Sequence, residues 1–213
     1  GGIAASYSGS TPLVLDRCVL RGNTSSDAAQ GGGGLYTNTA DLTMTRTAVI
    51  ENVASAASGG GLLLVLSTAT VQNVTISGNG AQWHGGGISA SFTTLTLTHS
   101  TIAYNVASLG NNGSLGGGFR LASCTTTVKN TILSENSVVG GTSDSHDCAT
   151  SPALTSAGFN LVGIVGGACS GFGAADSIGL DPMLGLLGDY GGDTLLHPAL
   201  PGSPAQDNGS CTD

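Results

Sequence analysis

A nine-residue block ending in asparagine occurs five times: LDRCVLRGN (15–23), MTRTAVIEN (44–52), VQNVTISGN (71–79), LTHSTIAYN (97–105) and VKNTILSEN (128–136). The first position is always apolar, and the sixth is Leu20, Val49, Ile76, Ile102 or Leu133. The ninth is Asn23, Asn52, Asn79, Asn105 or Asn136, at steps of 29, 27, 26 and 31 residues. A glycine cluster running into an apolar residue precedes each block: Gly1-Gly2-Ile3, Gly32-Gly33-Gly34-Leu35, Gly59-Gly60-Gly61-Leu62, Gly85-Gly86-Gly87-Ile88 and Gly116-Gly117-Gly118-Phe119. Self-similarity at a period of roughly 20 to 50 residues marks a solenoid or an array.

No repeat carries a helical pattern. The segments are short, rich in Thr and Val, and alternate with period two, as in TLTLT (94–98). One coil of short strands and tight corners per repeat makes an all-β, single-stranded parallel β-helix, with strands of successive coils about 4.8 Å apart. The crossover rule gives it a right hand. Five coils are expected over residues 1–140, with 141–213 as a capping region of the same domain. Glycine supplies the positive φ or close backbone approach that corners need. Asparagine tolerates left-handed backbone at a corner, and its amide can donate and accept along the stack. Asn23, Asn52, Asn79, Asn105 and Asn136 should therefore form a structural ladder. The glycine runs are not phosphate loops: they lead into strands, and no G-K-[ST] follows.

The glycine-apolar and [LVI]xxN pair resembles the GGA[IL] and FxxN repeats of polymorphic outer-membrane proteins, and more broadly the parallel β-helix repeats of bacterial surface proteins, with Leu, Val or Ile where Phe is typical. Residues 181–209 resemble the C-terminal signature of choice-of-anchor β-helix surface proteins. They carry it as Asp181-Pro182, Leu184-Gly185, Gly191-Gly192, Thr194, His197, Pro201-Gly202-Ser203-Pro204-Ala205, Asp207 and Gly209. The resemblance implies a secreted or surface-attached bacterial protein, structural or adhesive, with carbohydrate or another cell-surface component as the ligand class. Related proteins often carry a cysteine pair where Cys148 and Cys169 stand. The resemblance thus implies a Cys148–Cys169 disulfide, worth about 3 kcal/mol in the loop-entropy picture. Cys18 and Cys124 belong to the first and fifth coils, about four spacings of 4.8 Å apart, too far for a disulfide. Both should be buried free thiols. Cys211 is left between Cys124 and a partner outside these residues.

Composition narrows the partners. The net charge is −8, only five residues are Lys or Arg, and 8% are charged. Binding nucleic acid or anionic membrane needs clustered basic residues, so neither is expected. The longest strongly apolar run, Leu62–Leu66, falls far short of the roughly 20 residues that span a bilayer. A surface of Ser, Thr, Asn and Gly suits an extracellular location. The chain starts with Gly1-Gly2-Ile3 rather than Met, which suggests a processed form or a fragment. An uncapped first coil would expose strand edges there. Preceding coils or a second subunit docked end-on would cover them, and repeated end-on docking makes a filament.

Two other functions compete. Carbohydrate-active β-helices, lyases or hydrolases, need clustered carboxylates, or a base with a calcium site. Asp16, Asp27, Asp41, Glu51 and Glu135 fall at different phases of the coil, so no catalytic residue is assigned. The third position of each block, Arg17, Arg46, Asn73, His99 and Asn130, reads as a solvated ridge, with a functional groove as the alternative. Asp144, His146 and Asp147 are the best metal candidates, against a plain hydrated loop. Calcium is the only cofactor suggested, there or at the turn residues Asp176, Asp181, Asp189 and Asp193. His84 beside Trp83, and His197, lack spacing partners. The other function is ice binding by a flat Thr-x-Thr array. Flanking each block's first residue, only Thr43-Thr45 and Thr96-Thr98 make full pairs, on coils that are not adjacent.

Overall fold

The computed structural model describes residues 2–6, 12–107, 113, 115–140 and 146–210. The parallel β-helix is there, and no α-helix occurs among the described residues. Each of the first five coils contributes one strand in turn to each of four parallel sheets. Sheet 1 starts after the glycine cluster, from Ile3–Ser6 through Leu35–Asn38, Leu62–Val65, Ile88–Ser91 and Phe119–Ala122 to Cys148–Ser151. Sheet 2 runs from Leu13–Asp16 through Leu42–Thr45, Thr68–Gln72, Thr94–Thr98 and Thr125–Lys129 to Thr155–Ser156. Sheet 3 holds Val19–Arg21, Ala48–Ile50, Thr75–Ser77, Thr101–Ala103, Ile132–Ser134, Leu161–Val162 and Ser177–Ile178. Sheet 4 is narrow, with two-residue strands such as Val53–Ala54 and Val106–Ala107.

Alternate residues of each strand stack in the lumen. Leu35, Leu62, Ile88 and Phe119 form one fully buried column, Met44, Val71, Leu97 and Val128 another, and Val49, Ile76 and Ile102 a third. Burying such side chains is worth roughly 1.5–3 kcal/mol each. The corners follow one rule. A left-handed residue turns the chain at Thr39, Leu66, Phe92 and Ser123 between sheets 1 and 2, at the third block position between sheets 2 and 3, and at the eighth between sheets 3 and 4. The sequence suggests left-handed backbone at the ladder asparagines, and they do not adopt it. The residue before each one does: Gly22, Glu51, Gly78, Tyr104 and Glu135, at φ 57–66°.

The three glycines have separate causes, seen at Gly85-Gly86-Gly87. Gly85 makes the corner at φ +62°. A Cβ on Gly86 would lie 2.5 Å from the Val106 backbone, because sheet 4 crosses close behind it. A Cβ on Gly87 would lie 2.6 Å from the Gly118 carbonyl and 3.1 Å from the Asn105 amide.

The C-terminal region has two parts rather than one cap. Residues 148–162 make a sixth coil, although the sequence rhythm fades after Asn136. The next segment folds over that coil: Thr150 N–H donates to Ala168 O, Leu154 N–H donates to Ser170 O, and Phe172 packs against the core. Cys169 in this segment is disulfide-bonded to Cys148, with the Cα atoms 5.2 Å apart. The bond indicates folding in an oxidising environment. Residues 183–200 then form an antiparallel hairpin, bridged at Leu184–Ala199 and Gly188–Leu196, that lies as a strap on the outer face of sheet 3. Outward residues of that sheet, Ile50, Ser77 and Ala103, are at most 3% exposed.

Candidate functional site

The asparagine ladder forms as expected. Nδ2 of Asn23, Asn52, Asn79 and Asn105 donates to Oδ1 of the next asparagine at 2.9–3.0 Å. The same Oδ1 also accepts the backbone N–H of the preceding asparagine. From Asn52 on, each Nδ2 donates as well to a carbonyl of the coil before, such as Ile76 O for Asn105. Asn52 to Asn136 are at most 4% exposed, and Asn23 is half-buried. A buried amide satisfied at every atom avoids the penalty of an unmade hydrogen bond. The ladder is structural.

Its last rung is a residue the sequence had offered as a metal ligand. Asp147 Oδ1 accepts both the backbone N–H and Nδ2 of Asn136, and Oδ2 accepts the Ile164 N–H at 2.7 Å. A carboxylate only accepts, so the donor chain ends there. Burial pushes the Asp147 carboxyl above its ordinary value, against the hydrogen bonds from Asn136 and Ile164. Both oxygens thus accept hydrogen bonds from the fold. His146 is half-buried beside it, and Asp144 lies outside the described residues. Among the described residues no three His, Cys, Asp or Glu side chains are placed to hold a metal. A shorter ladder, unforeseen from sequence, ends the same way. Asn160 Oδ1 accepts Thr131 N–H, and Asn160 Nδ2 donates to Asp176 Oδ1. Asp147 and Asp176 stand outside the repeat spacing, so only their residue type hinted at the role.

The third-position column is partly solvated: Arg17 and Asn73 are exposed, and Arg46, His99 and Asn130 are half-buried. The strap docks along it. Asp193 approaches Arg17 at 3.5 Å and Arg46 at 3.8 Å. Arg46 also clamps Asp16 through Nε and Nη2 at 2.9 and 2.7 Å, and Thr45 Oγ1 donates to the same carboxylate. These donors, Arg46 first, hold the Asp16 pKa at about 2. Further along, Asn130 Nδ2 lies 2.9 Å from His99 Nε2 and donates to Ser210 O, and Asn130 Oδ1 accepts the Ser210 N–H. His197 is held by two hydrogen bonds. Its Nδ1 is 2.8 Å from Gly185 O and so carries the proton, while Nε2 meets Ser77 Oγ at 2.9 Å. Its ring also packs on Tyr104, and burial lowers its pKa. His84 is structural too, accepting the Leu115 N–H at Nδ1.

Other carboxylates are spread out. Glu51 and Glu135 share the eighth-position column, which the sequence reading had put at different phases. They sit three coils apart, about three spacings of 4.8 Å, beyond the roughly 5–10 Å of glycosidase carboxylate pairs. Asp27 caps a turn through the N–H groups of Ala29 and Gln30, which lower its pKa. A cleft of about 450 Å³ lies at the sixth coil, lined by Glu135, His146, Asp147, Ile164, Leu180 and Asp181 among others. Cys18 and Cys124 are free, as expected. Cys124 is buried, but Cys18, in the first coil, is only half-buried because no coil lies beneath it. Cys211 lies outside the described residues.

Comparison of the chain with known protein families, with curated proteins and with solved structures returns no match. No helix among the described residues is long and apolar enough to cross a membrane.

Proposed function

We propose that this chain is an extracellular, non-catalytic β-solenoid module with a structural or adhesive role in a bacterial surface protein. One observation carries the reading: four carboxylates that could serve chemistry serve the fold instead. Asp147 and Asp176 end hydrogen-bond ladders, and Asp16 and Asp193 tie the first two coils to the strap. The disulfide and the sparse charge fit an extracellular setting. Incubation with a panel of neutral and acidic polysaccharides, with and without calcium, tests it. No new reducing or unsaturated ends should appear. The cleft holding Glu135, His146 and Asp181 favours the carbohydrate-active alternative. Turnover abolished by Glu135→Gln or Asp181→Asn would establish that alternative.

The first coil supplies a second contact. Its strands pair on one side only, Val14 and Val19 are 58% and 52% exposed, and Asn23 Oδ1 receives no hydrogen bond from a described residue. Further coils or a second copy would satisfy this edge. A second copy meeting this edge first coil to first coil would close a two-fold pair, and one docking end-on would extend a fibre. Sedimentation equilibrium of the chain, alone and as Val14→Lys/Val19→Lys, checks this. A concentration-dependent dimer lost in the variant is the expected result, and a monomer throughout removes the self-association reading.

A further inference from the structure

We propose that the outer face of sheet 2 is an ice-binding surface. The pairs visible from sequence, Thr43-Thr45 and Thr96-Thr98, used the wrong neighbouring column. The strands of sheet 2 begin earlier than the blocks, and the register aligns Thr68 with Thr94 and Thr125, and Thr70 with Thr96 and Thr127. Three adjacent coils therefore each present a complete Thr-x-Thr. The inner column continues to Thr43 on one side and Thr155 on the other.

The spacing is that of a lattice. Hydroxyl and methyl groups repeat about every 4.8 Å between coils and about 6.7 Å along each strand. Threonine is stiff at χ1, so the array is ordered at low entropic cost. Side-chain ladders are what keep a many-stranded sheet from twisting, and the asparagine ladder runs through the same coils. Behind the face, Ala69, Val71, Leu95, Leu97 and Val128 are buried and hold it rigid. Among the described residues, the hydroxyls of the two aligned Thr columns make no hydrogen bond with another side chain.

A second observation borders the same face. Leu66 and Phe92 occupy its sheet 1 corner with φ of 49° and 51°, and are 55% and 64% exposed. A bulky side chain in left-handed backbone is strained, and an apolar one in water gains nothing from burial. A rim in contact with a solid surface would relieve the second cost.

The occupant follows from the chemistry. The two threonine columns are an uncharged array of donors, acceptors and methyl groups, bordered by Gln72, Thr98 and Lys129, and suit an uncharged, periodic, hydrogen-bonding solid. Ice repeats at distances close to the strand spacing. Waters held between threonine methyls and hydroxyls at that repeat can join a growing crystal face. A crystalline polysaccharide is the weaker fit, because the outward positions of these strands carry no aromatic ring on which sugars stack.

The full chain should shape ice crystals, slow ice recrystallisation and show a gap between melting and freezing points. Thr70→Lys, Thr96→Lys and Thr127→Lys should each lose most of that activity while keeping a β-type circular dichroism spectrum and an unchanged melting temperature. Ser91→Lys, on sheet 1, should keep the activity in full. A wild-type chain that leaves ice growth unaltered overturns the proposal, as do threonine variants as active as wild type. Retention on crystalline cellulose or chitin, lost in these variants and without any effect on ice, would overturn it in favour of a polysaccharide surface. The inference rests on sheet 2 alone, so its failure leaves the reading of the module as a scaffold standing.

Discussion

At the scale of single residues, stability depends on how completely each buried polar group is partnered. Asn105 is fully buried, and its side chain accepts from Asn79 N–H and Nδ2 while donating to Ile76 O, Ala103 O and Asn136 Oδ1. Asn105→Ala orphans several of these at once, and each unmet buried group costs about 1–3 kcal/mol. The variant should lose at least about 3 kcal/mol in urea unfolding. Asn23→Ala, at the half-exposed first rung, should lose about 1 kcal/mol or less. Equal losses would mean that the ladder does not work as a chain of buried amides. Asp16 tests the other end of polarity. Its carboxyl is held at about 2 by Arg46 and then Thr45, against an ordinary 3.8. Its contribution is present above pH 3.8 and is lost as pH falls towards 2. Carboxyl chemical shifts should titrate near 2 in the native chain and move back towards 3.8 in Arg46→Gln.

At the scale of elements, the strap is the piece least like the rest. It touches the solenoid through Asp193 and His197 rather than through a continuous ladder, and the chain beyond it is held by the Asn130–Ser210 pair. His197 is held neutral, with Nδ1 donating to Gly185 O and Nε2 facing Ser77. Its pKa is lowered by burial from 6.5, so an undocked strap takes up a proton more readily than a docked one. Docking is thus complete above pH 6.5 and weakens as pH falls through the lowered value. Limited proteolysis between Leu186 and Gly192 should accelerate on acidification from pH 7.5 to 5. In His197→Gln the pH dependence over that range should vanish, and a dependence that survives would place the titrating group elsewhere.

At the scale of the whole molecule, the two ends are unequal. The sixth coil is covered by residues 164–176 and fastened by Cys148–Cys169, while the first coil has an open edge. In a solenoid each coil is stabilised by its neighbours, so protection propagates from covered ends. Amide exchange should be fastest in the first coil and slowest in the third to fifth coils of the oxidised chain. Reduction of the disulfide should cost about 3 kcal/mol and raise exchange at Cys148–Ser151 and Leu161–Val162 selectively. Uniform acceleration along the chain would show that the cap does not act locally.

The sequence by itself determined the solenoid and the ladder, and the cysteine pair that closes the last coil came from a resemblance rather than from the period. In a nearest-neighbour architecture every coil faces the same demand, so the answer is written once per period: a glycine cluster where backbones crowd, an apolar residue where side chains stack in the lumen, asparagine where amides stack. Tertiary structure decided what lies outside that period. The sixth coil has no block asparagine: Asp147 ends that ladder, and Asn160 with Asp176 stacks beneath Thr131 at a different corner, so the block spacing gave no signal. Asp193 meets Arg17 and Arg46 from the far end of the chain, and no periodicity links residues that occur once. Asp147 resembled a metal ligand because a carboxylate beside a histidine looks alike whether it binds an ion or ends a hydrogen-bond chain. The threonine columns were present in the letters, but which of them align depends on where each strand begins, and cross-coil hydrogen bonding sets that register.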